Sequence, residues 1–205
     1  HFFFLLFDAA TAKPLAMMEA NYLGQIRTGA ASGYATDLLA NPDADVLAVI
    51  GSGFQAKSQV EAIACVRQLR EVRVYSRKPE NREGFATDIR SSLGLNAVAA
   101  DSAEAAVRGA SIIATATWAK DPVIQNAWVS DGAHVNAMGS NNAQRREIPA
   151  DLVARASLIA VDAIDQSKVE AGDLLLAWTE EDWKTARLKE LKDVTRSDRA
   201  SRDAV

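Results

Sequence analysis

The chain has 205 residues, of which 48% are hydrophobic, and a formal net charge of −4. That length suits one large domain, or one domain and part of another, with a substantial core. Interspersed charges of both signs exclude the basic face of a nucleic-acid-binding protein. The single cysteine, Cys65, excludes an internal disulfide and is predicted to be a small buried residue of a helix. Two histidines far apart in sequence indicate no metal site.

The first segment predicts a strongly apolar β-hairpin. Residues 2–7 predict a strand buried on both faces, and residues 14–19 predict its partner. A lone hairpin is unstable in water, so these strands are expected to need partners from outside the chain or from a missing part of it. Residues 1–7 are too short to span a membrane and lack signal-peptide features, so we expect a cytoplasmic protein. The chain starts without Met and ends in a polar run over residues 193–205, so we expect a fragment of a longer protein.

A helix is predicted next. Residues 21–40 have helical periodicity, and the predicted apolar side includes Ile26 and Tyr34. Arg27 lies in the first turn of this helix, among small and apolar residues. An arginine in such a setting can hold a carboxylate through two parallel hydrogen bonds. The alternative is an ordinary arginine on the helix surface.

The chain is organised around the turn that follows. Residues 46–50 are apolar throughout, as in a strand buried on both faces of a parallel sheet. Glycines in Gly51-Ser52-Gly53 permit a tight turn, and a helix predicted from Gln55 to about Leu69 directs its positive dipole end at that turn. The pattern G-x-G-x-x-A predicts a dinucleotide pyrophosphate site, with an ordinary strand–helix turn as the alternative. The candidates are Gly51, Ser52, Gly53, Gln55 and Ala56.

Strand and helix patterns then alternate with short connections. This rhythm predicts an α/β fold built on a Rossmann-type, doubly wound parallel sheet. From Gln166 onward the pattern is helical and then polar. The later predicted strands lie at residues 72–75, 97–100, 111–117, 134–139 and 158–161, and the later helices at residues 79–93, 101–108 and 149–156.

Ligands of such sheets bind beyond the carboxyl ends of the strands. The loop after the second predicted strand is Ser76-Arg77-Lys78. It has no acidic residue about 20 positions past the glycine pattern, where an NAD-binding protein places one. A hydroxyl and two cations suit a 2′-phosphate, so this loop favours NADP(H), with NAD(H) still possible. The alternative is a pair of solvated loop cations.

Residues at the ends of the fourth and fifth predicted strands supply further cofactor candidates. Thr115 and Thr117 either approach the nicotinamide ribose or simply finish their strand. His134 begins the fifth strand and is predicted to be structural. The cofactor-binding candidates in this region are Thr115, Thr117, Asn136, Met138 and Gly139.

The polar loop over residues 139–147 leaves the fifth strand. Asn141 or Asn142 is placed to hydrogen-bond a substrate, and Arg145 or Arg146 is placed to pair with a phosphate or carboxylate. The alternative is a surface loop, in which Arg146 and Glu147 are the members most expected at the surface.

Five segments, taken in order, resemble the ornithine cyclodeaminase/mu-crystallin family. They are QIRTGAA at 25–31, VIGSGFQA at 49–56, MGSN at 138–141, VD at 161–162 and EAGDL at 170–174. The resemblance implies a homodimer whose subunit combines a Rossmann domain for NAD(P) with a mixed α/β substrate and dimerisation domain. On this basis residues 41–165 are the Rossmann domain, residues 1–40 are a remnant of the second domain, and residues 166–205 return toward it.

The resemblance also implies roles for individual residues. Arg27 matches the arginine that holds the substrate carboxylate, and Thr28 matches a contact to the cofactor phosphates. Gln55 and Ala56 match pyrophosphate contacts, and Arg145 matches a basic cofactor contact. The serine at position 76 replaces an aspartate of the NAD-using cyclodeaminases, which supports NADP.

Asn141 is the main departure from the family pattern. It stands where cyclodeaminases carry an aspartate that acts as acid and base, and it is the catalytic candidate of this chain. An amide does not exchange protons at neutral pH as a carboxylate does. The substitution therefore favours reduction of a preformed imine over cyclisation of ornithine.

Together these observations predict an NAD(P)-dependent oxidoreductase acting on a small amino or imino acid, by imine or ketimine reduction. One alternative is an ornithine cyclodeaminase with bound NAD, which forms proline and ammonia. Another is a cofactor- or ligand-binding protein without catalysis. No nucleic acid, membrane or metal is expected as a partner.

Overall fold

The computed structural model describes residues 2–199. Residues 1 and 200–205, which belong to the predicted first and last segments, lie outside the described residues. None of the helices within residues 2–199 is long and apolar enough to cross a membrane. The strands are β1 Phe3–Phe7, β2 Pro14–Glu19, β3 Val46–Ile50, β4 Glu71–Tyr75, β5 Ala97–Ala99, β6 Ile112–Thr115, β7 His134–Ala137, β8 Ile159–Val161 and β9 Leu188–Glu190. The helices are α1 Asn21–Leu39, α2 Phe54–Ala64, α3 Pro79–Leu93, α4 Ala103–Val107, α5 Ala150–Arg155, α6 Ile164–Glu170 and α7 Gly172–Leu175.

A five-stranded parallel sheet forms the centre of the fold, in the order β5-β4-β3-β6-β7. Strand β3 is central because all five of its residues are apolar and buried. From β3 the chain moves outward through β4 and β5, then returns to the other side through β6 and β7. The strand order therefore reverses between β3 and β6, which is where parallel sheets of this kind form their ligand crevice. The predicted α/β class and parallel sheet are confirmed.

Helices cover both faces of this sheet. Leu47 and Val49 of β3 pack into one core with α2 and α3, which contribute Ile63 and Ile89. The alternate residues of β3, including Ala48, pack into a second core with α4, α5 and α7. This alternation follows from the period of two along a strand and gives the doubly wound arrangement.

Strand β8 is present, but its predicted place as the sixth strand of the central sheet is wrong. It pairs in parallel with β9 in a separate two-stranded sheet, with Ile159 opposite Leu188. Its three residues are only half-buried. Periodicity identifies a strand but not its partner, and β9 lies in a polar region where no strand was predicted.

Helix α1 has the predicted extent to within one residue, but its predicted apolar side is wrong. Ile26 and Tyr34 are 42% and 53% exposed. The helix packs instead through small residues: a Cβ at Gly29 would lie 2.4 Å from the backbone oxygen of Ser58 in α2, and one at Gly33 would lie 2.9 Å from the Cβ of Ala62. Close approach of the two helix backbones selects glycine at this contact, which a hydrophobicity pattern does not detect.

The end of α2 also differs from the prediction. The helix ends at Ala64, about one turn before the predicted Leu69, and Cys65 is exposed rather than buried. The buried position after it belongs to Arg67. Its guanidinium donates hydrogen bonds to the backbone oxygens of Thr36 and Ala40 at 2.8 and 2.7 Å, so it closes the end of α1. A charged residue buried for this purpose is not visible in the periodicity.

Strands β1 and β2 form the predicted antiparallel hairpin, with Phe3 opposite Glu19. The predicted burial of the first strand is not found in this chain, because its five residues are 44–57% exposed. Tyr22 and Leu23 of α1 are exposed as well. A large exposed apolar surface therefore lies at this end of the molecule.

Candidate functional site

The two glycines of the predicted pyrophosphate turn have different roles. Gly51 has a φ of +116°, and a Cβ there would lie 2.4 Å from the backbone oxygen of Ala116, so glycine is required for the contact between β3 and the loop after β6. A Cβ at Gly53 would meet nothing within 4 Å among the described residues. Gly53 precedes α2, and among the described side chains none caps this N-terminus. The helix end is therefore open to an anion.

A cavity of about 1210 Å³ lies along the carboxyl edge of β3, β6 and β7. The loops that follow these three strands contribute Phe54, Thr117 and Gly139 to its wall, and α1 contributes a further part. The predicted site residues that line it are Arg27, Thr28, Gln55, Thr117, Asn136, Met138, Gly139 and Asn141. The remaining candidates, which are Gly51, Ser52, Gly53, Ala56, Ser76, Arg77, Lys78, Thr115 and Arg145, are not part of the lining.

Helix α1 brings Arg27 and Thr28 to this cavity. The hydroxyl of Thr28 donates to the backbone oxygen of Gly24 at 2.9 Å, and the side chain of Arg27 is exposed at the cavity wall. The side-chain amide of buried Gln25 donates to the backbone oxygen of Phe54. This contact joins the N-terminal part of α1 to the first residue of α2, and the predicted carboxylate and phosphate residues Arg27 and Gln55 line the same cavity. Gln25 was not predicted as a contributor.

The Ser76-Arg77-Lys78 loop follows β4, the neighbour of β3, at the same edge of the sheet. Arg77 and Lys78 are exposed. Arg82 supports the loop, because its guanidinium donates to the backbone oxygen of Ser76 at 3.3 Å and lies 5.7 Å from the ring centre of Tyr75. The two cations are thus exposed at the carboxyl edge of the sheet.

The prediction that Glu147 is a surface residue of its loop is wrong. It is 1% exposed, and its Oε1 accepts hydrogen bonds from the backbone N–H and hydroxyl of Thr117 at 2.6 and 2.5 Å. Its Oε2 accepts from the backbone N–H of Gly139 at 2.7 Å. A Cβ at Gly139 would lie 2.5 Å from this carboxyl group, so glycine is needed there. One carboxylate therefore joins the loops after β6 and β7.

A second buried carboxylate supports the first. Oδ1 of Asp173 accepts from the backbone N–H groups of Glu147 and Ile148 at 2.6 and 2.8 Å. Beside it, a Cβ at Gly172 would lie 1.9 Å from the backbone oxygen of Arg145. The sequence segment AGD thus packs directly on the loop that carries Asn141.

Burial governs the ionisation of both carboxylates. It raises the pKa of Asp173 to about 6, against the opposing effect of the two backbone hydrogen bonds. Burial also raises the pKa of Glu147, while interactions with Thr117, Thr115 and Gly139 oppose the rise. Each carboxylate sits near the other, which adds to the upward shift of the pKa of Asp173.

The remaining candidates at the carboxyl ends of β6 and β7 differ in exposure. Asn141 is exposed at the cavity, and Arg145 lies 4.9 Å from the ring centre of Trp118, which also lines the cavity. Thr115 is fully buried in β6. The buried amide of Asn136 donates to the hydroxyl of Thr36 at 3.0 Å.

His134 lies 3.2 Å from the oxygen of Asn136, measured from its Nε2. Burial lowers the pKa of its imidazole to about 4. The histidine is thus neutral beside the amide of Asn136, but both residues line the cavity, so its structural role stays a prediction.

Residues 1–203 match the sequence profile of the ornithine cyclodeaminase/mu-crystallin family. The chain belongs to this family. It is 36% identical over 201 residues to a Delta(1)-pyrroline-2-carboxylate reductase of Bacillus cereus. This match covers 98% of the present chain and 62% of the reductase. The chain is 37% identical over 173 residues to the ketimine reductase mu-crystallin of Mus musculus, covering 84% of this chain and 54% of that protein. The predicted family is confirmed.

Solved structures of the ornithine cyclodeaminase/mu-crystallin type agree. The structure of Thermococcus litoralis Delta(1)-pyrroline-2-carboxylate reductase in complex with NADH and L-proline superposes with a TM-score of 0.90 at 32% identity, over 98% of this chain and 63% of that one. A probable ornithine cyclodeaminase from Bordetella pertussis gives a TM-score of 0.86 at 30% identity, over 98% of this chain and 64% of the cyclodeaminase chain. This chain thus spans between half and two-thirds of the length of these relatives.

Proposed function

We propose that this chain carries the cofactor-binding part of an NAD(P)-dependent oxidoreductase that reduces a small imine bearing a carboxylate. One juxtaposition supports this above all. The open N-terminus of α2, the loops at Thr117 and Gly139, and Arg27 all meet at one cavity. Such a cavity joins an anion site for a dinucleotide to a cation site for an acid. The similar pyrroline-2-carboxylate and ketimine reductases support the same reaction class.

The residues of this chain fit a dinucleotide. A Cβ at Gly53 would meet open space, and Phe54 and Gln55 at the start of α2 line the cavity. The first N–H groups of α2 would hold the pyrophosphate, which the helix dipole favours. When bound, the cofactor supplies the hydride at its nicotinamide ring.

The substrate is held by the other wall. Arg27 pairs with the carboxylate of the substrate through its guanidinium. Asn141 holds the substrate nitrogen or a water through its amide, without exchanging a proton itself.

For the cofactor, we propose NADPH over NADH. The support is the Ser76-Arg77-Lys78 loop, which offers two exposed cations and a hydroxyl and no carboxylate. The solved structures of the Thermococcus litoralis reductase and of the iminosuccinate reductase of Paracoccus denitrificans contain NADH and NAD+, respectively. The support for NADPH therefore comes from the loop of this chain and not from these relatives.

We also propose the predicted division of the chain, with a change to its second boundary, and a homodimer in the cytoplasm. Residues 166–199 approach α1: the guanidinium of Arg196 contacts the Asp37 carboxylate at 2.5 Å, and that of Arg199 donates to the backbone oxygen of Asp37 at 3.0 Å. These contacts support grouping residues 1–40 with 166–205. Strands β8 and β9 pair with each other but lie on opposite sides of the predicted boundary at residue 165. This pairing favours a boundary at about residue 158. The exposed apolar hairpin supports an interface.

Consumption of NADPH by the full-length protein with Δ1-pyrroline-2-carboxylate tests the proposal. We expect NADPH absorbance to fall and proline to form. The same protein with ornithine and bound NAD, without added reductant, tests the cyclodeaminase alternative, because ammonia would then appear. Dinucleotide binding with no turnover of either substrate would favour the non-catalytic alternative, which the absence of an acid at Asn141 motivates.

A further inference from the structure

Glu147 has no direct part in the reaction described above. It is not part of the cavity lining, yet both residues whose N–H groups it binds, Thr117 and Gly139, line the cavity. The carboxylate thus lies behind the wall and connects two of its loops. Burying a carboxylate costs more free energy than burying a neutral side chain of similar size. Stability alone is therefore a poor reason for a glutamate at this position.

The shape of the carboxylate explains the choice. Each of its two oxygens accepts from the backbone N–H of a different loop, and the two loops follow the adjacent parallel strands β6 and β7. Backbone N–H groups only donate, so both oxygens must be acceptors. A glutamine provides one acceptor and one NH2 donor, and so satisfies one loop while opposing the other.

Asp173, which itself lines the cavity, holds the backbone at Glu147. It binds the backbone N–H groups of Glu147 and Ile148 through the single oxygen Oδ1. Gly172 lets the segment approach within contact distance of the loop that carries Asn141 and Arg145. Asp173 belongs to the segment after β8, so a distant part of the chain determines the geometry of the wall.

We propose that Glu147 is a positioning residue, held by Asp173, that fixes the loops at Thr117 and Gly139 against the nicotinamide half of the dinucleotide. This inference rests on the proposed function, because it requires a dinucleotide in the cavity. It predicts that Glu147 controls the nicotinamide end and leaves the adenosine end of the cofactor unaffected.

The conservative variant Glu147→Gln keeps the size of the side chain but loses one of two acceptors. A residue that only filled space would accept this change. Ile89→Ala provides a control for stability, because Ile89 is buried in α3 in the core on the other face of the sheet.

The test uses full-length protein and two ligands. NADPH binding is measured by its fluorescence, and binding of 2′-phospho-ADP-ribose, which lacks the nicotinamide, is measured by calorimetry. Hydride transfer to Δ1-pyrroline-2-carboxylate is then followed in a single turnover. We expect Glu147→Gln to slow transfer by about 100-fold and to weaken NADPH binding by about 10-fold, with 2′-phospho-ADP-ribose unchanged. Ile89→Ala should stay close to wild type in all three measurements.

Three results would overturn the inference. The first is a Glu147→Gln variant with wild-type transfer and binding. The second is equal weakening of both ligands, which indicates general disruption. The third is a wild-type protein that binds no dinucleotide, which also removes the proposed function. If wild type binds NADPH but does not reduce the imine, only the proposed reaction fails, and the comparison of the two ligands still decides the role of Glu147.

A milder variant covers the case in which Glu147→Gln does not fold. Thr117→Val removes the hydroxyl that binds Oε1 but keeps the backbone N–H. We expect transfer to slow by about 10-fold, with binding of 2′-phospho-ADP-ribose unchanged. Wild-type transfer in this variant would contradict the inference.

Discussion

The two halves of the proposed cofactor site are built in different ways. The pyrophosphate half is local: a glycine turn and the helix that follows it occupy Gly51–Ala64 and use no buried charge. The nicotinamide half joins Thr117, Gly139 and Glu147 to Asp173, which is 26 residues further along the chain than Glu147. Its geometry depends on two buried carboxylates.

This difference determines how each half responds to change. A local turn fails when its own backbone cannot adopt the required conformation. A wall joined by carboxylates fails when protonation or substitution alters an acceptor at a distance. Four predictions test these two halves and the residues around them, beginning with the largest expected effect.

Gly51→Ala should destabilise the protein most. An alanine there needs a φ of +116° and places its Cβ 2.4 Å from the backbone oxygen of Ala116. The expected loss is about 4 kcal/mol in the free energy of unfolding. Gly53→Ala, two residues on, has open space and a φ of −84° and should lose less than about 0.5 kcal/mol. Urea unfolding measures both, and equal losses would show that the turn is not constrained as described.

What the sequence predicts follows the same division. Val46–Ile50, the glycine turn and the alternation of strands and helices are local patterns, and they gave the sheet and the family. Glu147 was expected at the surface, because a charged residue in a polar loop shows no local sign that two distant N–H groups will enclose it. The pairing of β8 with β9 and the glycine contacts of α1 were missed for the same reason: each depends on a partner distant in sequence.

Asp173→Asn should change the response of stability to pH. Burial raises the pKa of Asp173 to about 6 in the folded protein, above its ordinary value of 3.8. The folded state therefore holds the extra proton between these values, and wild type gains stability as the pH falls from 7 toward 4. Over this range the free energy of unfolding of wild type should rise by about 3 kcal/mol relative to that of Asp173→Asn. Urea unfolding across this range measures it, and a constant difference between the two proteins would contradict a raised pKa.

His134→Gln should give a smaller effect of opposite sign. Burial lowers the pKa of His134 to about 4, below its ordinary value of 6.5. The unfolded state therefore takes up the proton first, and the stability that neutral His134 contributes is lost as the pH falls from 6.5 toward 4. The loss relative to His134→Gln should be on the order of 1 kcal/mol, since the side chain is only half-buried. A parallel pH profile for the two proteins would mean that His134 titrates normally.

Arg77→Ala should have the smallest effect on the fold and a selective effect on the cofactor. The residue is exposed after β4, so the free energy of unfolding should not change measurably. Loss of a cation beside a 2′-phosphate should raise the Kd for NADPH by about 10-fold and leave the Kd for NADH unchanged. Arg70→Ala is the matched control, because Arg70 is an exposed arginine just before β4, at the opposite edge of the sheet, paired with Asp45 at 2.8 Å.

If both arginine variants weaken NADPH binding equally, the effect is one of general charge, and the Ser76–Lys78 loop has no selective role. Tighter binding of NADH than NADPH by wild type would reverse the cofactor assignment. Either result would leave the turn at Gly51 and Gly53 intact as a pyrophosphate site, because that site is formed by backbone and contains no charged side chain. The pyrophosphate half of the site is thus independent of the choice between the two cofactors.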